Sequence, residues 1–147
     1  LKNLTIFQKS TGARGAVSNV QKVIYDAEVG AGATTVAVVD QKIVFETYTR
    51  SQKILNLQRN PNITVLLEDG LIYEELRGVM IKGNAILESE PEDVEKYAKA
   101  VMLRNQPEYG EELLSEAAKQ MSFKRTAVIV EPNEVITWDH TKLGGSY

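Results

Sequence analysis

Cysteine is absent from the 147 residues, which excludes disulfides, thiolate metal sites and cysteine nucleophiles together. Histidine is nearly absent. His140 stands alone, so a catalytic triad or a histidine-based metal site would have to be assembled around that one ring. The Trp138-Asp139-His140 run matches no catalytic spacing, and the chain has neither a GxSxG elbow nor an HExxH pair, so hydrolase and zinc chemistry are not expected and no metal ligand is assigned. His140 reads as an exposed residue of the tail, with a hydrogen bond to a ligand as the other reading. No apolar run approaches the roughly 20 residues of a membrane span, and the N-terminus lacks the basic-then-apolar layout of a signal peptide. The expectation is a soluble, cytoplasmic protein without membrane contact. The chain opens on Leu1 where a start methionine would stand, which reads as a missing or processed start. A positive excess is lacking too: 17 Lys and Arg against 20 Asp and Glu give a formal charge of −3. Nucleic acid is therefore not an expected partner. The acidic groups at Glu68, Asp69, Glu74 and Glu75 flank a turn and a strand and read as solvated faces.

What the chain does contain is β-pattern followed by helix and then β-pattern again. The length suits one domain, taken as residues 1–147. TTVAVVDQKIVFE, residues 34–46, carries two β-rich runs around Asp40-Gln41-Lys42, as a hairpin does. Asp69-Gly70 is a second hairpin signal, and the run from Leu76 to Leu87 is a long strand interrupted by Gly78 and Gly83. At Ser89-Glu90-Pro91-Glu92 a capping box is expected, with Ser89 as N-cap and Glu92 reaching back. Val94, Tyr97, Ala98, Val101 and Met102 then form one helical face. Pro107 and Gly110 break the pattern before a shorter face of Leu113, Leu114, Ala117, Ala118 and Met121. Residues 126–139 return to strand with Pro132-Asn133 as an expected turn, and HTKLGGSY reads as a loop-like tail. Before residue 30 only QKVIYDAE has strand character. Strands joined by tight turns pair antiparallel, so the expected class is mainly β with a few helices, closed as a small barrel.

The stretch ETYTRSQKILNLQRNP, residues 46–61, gathers hydroxyls and cations at the start of a short helix. Ser51 stands as N-cap, Ile54 and Leu57 mark one face, and Pro61 ends the helix. A helix start presents unpaired N–H groups and the positive end of the dipole, suited to phosphate or carboxylate. Lys53 and Arg50 add charge there, and the hydroxyls of Thr47, Thr49 and Ser51 add donors. Two local readings stand: an anion cradle, or an ordinary capped helix with solvated cations. Trp138, the lone tryptophan, is equally a stacking surface for a planar cofactor or a core or interface residue.

In this order and spacing, T-x-T-x-S-x-K-x-x-N-L-x-x-N-P (47–61), R-G-V-x-I-x-G (77–83) and the ending VITWDHTKLGGSY resemble the pyridoxamine 5′-phosphate oxidase-like split β-barrels, especially the flavin- and deazaflavin-dependent oxidoreductases. The resemblance runs from about Thr34 to Tyr147. It implies a six-stranded antiparallel split β-barrel that forms a homodimer, with FMN, or alternatively the deazaflavin F-420, between subunits. It implies hydride transfer between that cofactor and a small organic substrate; a non-catalytic flavin or haem binder of the same fold is the alternative. By the same resemblance Thr47, Ser51 and Lys53 hold the cofactor's phosphate, with Thr49 beside them. Thr34, Thr35 and Val36 run along the ring, Arg77 and Gly78 flank it from the other side, and Trp138 to Lys142 close over it. No acid or base is identified. Gln52-Lys53 replaces the Arg-Lys pair of true pyridoxamine phosphate oxidases, Gly78 their glutamine near the ring, and WDHTKLGGSY their arginine-rich tail, so oxidation of the vitamin B6 phosphate is not carried over. Thr35 and Ala37 stand where the family often has proline and an aromatic.

Overall fold

Two antiparallel runs, KIVFETY and RTAVIV, carry the strongest β signal in the chain, and they pair with each other. In a computed structural model that describes residues 3–7, 32–69 and 71–143, strand β4 (Lys42–Tyr48) lies against β7 (Arg125–Asp139) in a register that sets Ile43 opposite Val130 and Tyr48 opposite Arg125. Ile43, Val44, Phe45 and Glu46 are buried one after another, as are Thr126 through Val130. Both faces of these strands are covered, which is why the sequence is continuously apolar there instead of alternating. β3 (Ala37–Val39) completes a hairpin with β4, Val39 opposite Lys42. Its two-residue turn has positive φ at both Asp40 (50°) and Gln41 (62°), the primed turn whose twist matches that of the strands.

The chain divides into two compact units, each discontinuous in sequence. One contains residues 35–61 and 84–131. Besides β3, β4 and the first part of β7, it holds helix α1 (Gln52–Arg59), the second part of strand β6 (Arg77–Glu88), and helices α2 (Pro91–Asn105) and α3 (Glu111–Ser122). Its strand order is β6-β7-β4-β3. Val94, Ala98 and Val101 are the buried line of α2, with Tyr97 and Met102 at its margins. Leu114 and Ala118 are the buried line of α3, whereas Leu113 is exposed. A cluster of Ala37, Val44, Val101 and Ile129 ties α2 to the strands. Each fully buried Val, Ile or Phe of this kind is worth about 1.5–3 kcal/mol.

The other unit contains residues 1–34, 62–83 and 132–147. β1 (Asn3–Phe7) pairs antiparallel with both β2 (Gly32–Ala33) and β5 (Asn62–Asp69), and the order is β2-β1-β5-β6-β7. Ile63, Val65, Leu66 and Leu67 are its buried residues on β5. Two 3-10 turns, Tyr73–Glu75 and His140–Lys142, belong to the same unit.

Several expectations change. The antiparallel, mainly β class with a few helices holds, but among the described residues the sheet is open, with β2 and β3 as its last strands. At one end the cause is local: the Val36 carbonyl accepts from Arg104 Nη1 (2.8 Å) and Asn105 Nδ2 (2.9 Å), so residues 34–36 are not strand and β3 begins only at Ala37. The capping box does not form. Pro91 takes the first helical position, which makes Glu90 the N-cap without a side-chain bond; the Glu88 carboxylate accepts from the N–H of Ser89 (3.2 Å), and the Ser89 hydroxyl faces Thr126 Oγ1 (3.4 Å). Pro132-Asn133 is not a turn either. β7 runs straight through it, and because the β4 ladder ends at Val130, the N–H that proline lacks is not required on that side. The long strand through Gly78 and Gly83 is found as expected. QKVIYDAE, Gly70 and residues 144–147 lie outside the described residues. Among the described residues no helix is long and apolar enough to cross a membrane.

Gln41 sits at φ 62°, a left-handed conformation that costs a side-chain-bearing residue on the order of 1 kcal/mol. Replacing Gln41 by Gly should raise stability by about 0.5–1 kcal/mol, seen as a higher urea midpoint at unchanged slope.

Candidate functional site

The junction of β4 and α1 takes its shape from two buried side chains. Ile54 and Leu57 are 0% and 2% exposed and fix the helix by one face, while Asn60 and Pro61 end it. Ser51 is extended (φ −68°, ψ 151°); its N–H donates to Tyr48 O (2.8 Å), and its hydroxyl accepts from Ile54 N at 3.4 Å. That last bond is long, so the first-turn N–H groups are weakly satisfied from within. No acidic residue lies in the first turn. Gln52 bonds Asn56 along the exposed side (2.7 Å).

Lys53 is the cation of this turn. Its amine lies 5.6 Å from the centroid of the Phe45 ring and, among the described residues, forms no ion pair. Burial pushes its pKa below the ordinary lysine value, opposed by the charge of Glu46. Glu46 itself, 8% exposed, is held by Arg125, whose guanidinium lies 4.5 Å from the centroid of the Tyr48 ring. Glu46 is thus neutralised by a neighbour other than Lys53, and Lys53 keeps a desolvated charge for which an anion is the natural partner. Thr47 stands opposite Thr126, and Thr49 is tied down through its N–H to Lys124 O (3.1 Å) and through its hydroxyl, which accepts from Thr126 (3.0 Å). Thr47, Thr49, Ser51 and Lys53 thus all lie on the junction of β4 and α1, where Arg50 is exposed. The sequence reading missed Lys124, Arg125 and Thr126. The signal was present as a second T-bearing, cationic segment, KRT, at the start of an apolar run antiparallel to ETYT, but only the register makes it visible.

The remaining candidates fall elsewhere. Thr35 is exposed and Val36 buried in the same unit, whereas Thr34 belongs to the other. In that other unit Gly78 lies under the indole of Trp138. A Cβ at Gly78 would stand 2.3 Å from Trp138 Cζ2 and 2.7 Å from Leu67 O, so the strand can carry only glycine there. Arg77 next to it is exposed. Trp138 leads into a fastened segment, not a loose tail. The N–H of His140 donates to Leu76 O (2.8 Å), its Nδ1–H donates to Tyr73 O (2.8 Å), and its ring lies 4.5 Å from that of Tyr73, centroid to centroid. His140 is half-buried, which corrects its reading as an exposed tail residue. Asp139 accepts from the Thr141 hydroxyl (2.6 Å) and N–H (3.1 Å), and chiefly that hydroxyl holds its carboxyl below the usual range; Lys142 adds an exposed contact at 3.6 Å.

The sequence profile of the family described as pyridoxamine 5′-phosphate oxidase matches residues 28–139. Among solved structures, a conserved hypothetical protein of Mycobacterium tuberculosis, Rv2991, is 31% identical, with a TM-score of 0.78 over 100% of this chain and 82% of its own. A Listeria innocua protein assigned to the pyridoxamine 5′-phosphate oxidases is 14% identical (TM-score 0.58, 93% and 88% covered). HutZ, the haem storage protein of Vibrio cholerae, is 10% identical (TM-score 0.58, 92% and 84% covered). These last two share the fold. No curated protein sequence matches the chain.

Two outcomes follow from the packing. Gly78→Ala should destabilise by about 1–3 kcal/mol, because the indole must move off the strand, and should shift the emission of the single tryptophan. For Lys53 the unfolded chain keeps its proton to higher pH than the folded chain does, so between the lowered value and 10.5 stability rises with pH. Lys53→Met should lose that rising limb in a series of denaturation curves from pH 8 to 11.

Proposed function

The chain belongs to the pyridoxamine 5′-phosphate oxidase-like family, and from that premise we propose that it is an oxidoreductase using FMN or the deazaflavin F-420 to exchange a hydride with a small organic substrate. The observation that carries the reading is Lys53: a partly desolvated amine without a carboxylate partner among the described residues, at the first turn of a Ser51-capped helix free of acidic residues there. A phosphate meets each of those features at once. The donor set fits: Ser51 and Thr47 supply hydroxyls, the α1 N-terminus supplies N–H groups, and Lys53 supplies charge, while Thr49 is held in place by Thr126. Either cofactor ends in a phosphate or phosphodiester, so the anchor serves both, and FMN is the first to test.

The bound cofactor supplies the redox chemistry. The protein's part in the proposal is to fix the phosphate, to line the ring through Thr34, Thr35 and Val36 and through Arg77, Gly78, Trp138 and Lys142, and to exclude water. Since the Val36 carbonyl is already taken by Arg104 and Asn105, its N–H is the group left to offer a ring. The homodimer with the cofactor at its interface and the cytoplasmic setting belong to the same proposal.

The test is direct. Purified protein, or apoprotein titrated with FMN and with F-420, should show the visible absorption of a bound chromophore, identified by the mass of the released ligand. Lys53→Ala should weaken its binding by about 1.5–3 kcal/mol. Failure to bind either compound would sink the proposal; tight binding without turnover of any hydride acceptor would leave a binding protein of the same fold.

A further inference from the structure

We infer that Thr49 donates its hydroxyl proton to the cofactor's phosphate and that buried Thr126 is the positioning residue that aims it; the inference rests on the function proposed above. Thr126 is 1% exposed, at the head of the buried apolar run Ala127 to Val130. A hydroxyl so placed costs free energy unless it is bonded, and valine would fill the same space without that cost. Its two contacts answer the cost. The Thr126 hydroxyl donates to Thr49 Oγ1 (3.0 Å) and stands 3.4 Å from Ser89 Oγ.

Counting protons gives the chain a direction. A hydroxyl carries one proton and two lone pairs. The Thr126 proton goes to Thr49, so Ser89 is the donor in its contact with Thr126. Thr49 receives on one lone pair, which turns its own proton away from Thr126, and among the described residues that proton has no acceptor. Accepting also makes a hydroxyl a better donor, because each bond of such a chain polarises the next. Thr49 is exposed, two residues before the N-cap Ser51, and its N–H is fixed on Lys124 O at 3.1 Å. Its backbone and its oxygen are both held, and the proton is the group left to offer.

Thr49 and Lys53 lie on the same side of β4. Phe45, Thr47 and Thr49 alternate with Glu46 and Tyr48 along the strand, and Thr47 lies opposite Thr126 in the β4–β7 register. The Lys53 amine stands over the Phe45 ring, on the side of the hydroxyls. Glu46, Arg125 and Tyr48, with their ion pair and cation–π contact, take the other side. The hydroxyl side thus presents donors: an ammonium that has no lone pair, and a threonine whose proton is turned outward. An oxygen that only accepts, as in a phosphate, satisfies both, whereas a sugar or ribityl hydroxyl brings a proton of its own that neither group takes.

The measurement is a binding titration of apoprotein with FMN and with riboflavin, which lacks the phosphate, or with F-420 and its phosphate-free deazaflavin. Thr49→Val, at an exposed position, should weaken the phosphate-bearing compound about 10–100-fold. Thr126→Val keeps the volume and removes the proton; it should weaken that compound about 3–10-fold and leave the phosphate-free one within about twofold. In the Thr49→Val background, Thr126→Val should add less than about twofold, since it acts through Thr49 alone. Thr126→Ser keeps the proton and loses a buried methyl, so its urea midpoint should fall while its affinity stays within about twofold of the parent. An unchanged affinity in Thr49→Val, additive losses in the double variant, an equal loss for the phosphate-free compound, or a Thr126→Ser affinity that falls as far as that of Thr126→Val would overturn the inference and leave the oxidoreductase reading standing. Failure of both FMN and F-420 to bind would remove the two together.

Discussion

A carboxylate buried in the middle of a strand has to be answered by a cation, and the answer given to Glu46 organises one side of this molecule. Arg125 reaches it across the β4–β7 ladder, its guanidinium stacked near Tyr48. Removing one member of such a pair costs about 3–5 kcal/mol in general, because the other is left buried and uncompensated. Here the pairing also decides what the neighbouring amine is free to do. Were Arg125 absent, Glu46 would turn to Lys53, whose charge it already supports at a distance. With Arg125 in place, the strands are joined, Thr126 is in position to hold Thr49, and Lys53 is left without an ion pair among the described residues, its amine over the Phe45 ring. The β4–β7 pairing and the unpaired state of Lys53 among the described residues thus rest on one allocation of three charges.

How much of this could be read in the sequence depended on whether the determining partner was near in the chain. The β3–β4 hairpin and α1 were legible because their determinants are local: a polar pair between β runs, a serine before a one-faced apolar pattern, a proline after it. The capping box at Ser89 is prevented by an equally local feature. Pro91 fixes the first helical residue and displaces serine from the cap. Pro132-Asn133 failed for a non-local one, since whether proline breaks a strand depends on whether a neighbour calls for its N–H, and the neighbour's ladder stops at Val130. The same division holds in the candidate site. Ser51 and Lys53 were legible in one short segment, whereas Arg125 and Thr126 are 79 and 77 residues from Glu46 and Thr49, the partners that give them meaning. His140 looked like part of a free tail because carbonyls at Tyr73 and Leu76 leave no mark on sequence.

Gly78 and Trp138 sharpen the comparison with the family most. The resemblance puts a glutamine of true pyridoxamine phosphate oxidases where this chain has Gly78, and sequence alone presents that as a loss. In the structure the room a side chain would need above β6 is filled from β7 by the indole of Trp138, to within 2.3 Å of where a Cβ would stand. What covers β6 at this position is an aromatic surface with a single N–H donor. A wall of that kind favours flat, apolar groups over a phosphorylated, multiply hydrogen-bonding pyridine. Under the proposed function, that surface and the absence of an arginine-rich tail fit a small organic hydride acceptor better than a B6 vitamer.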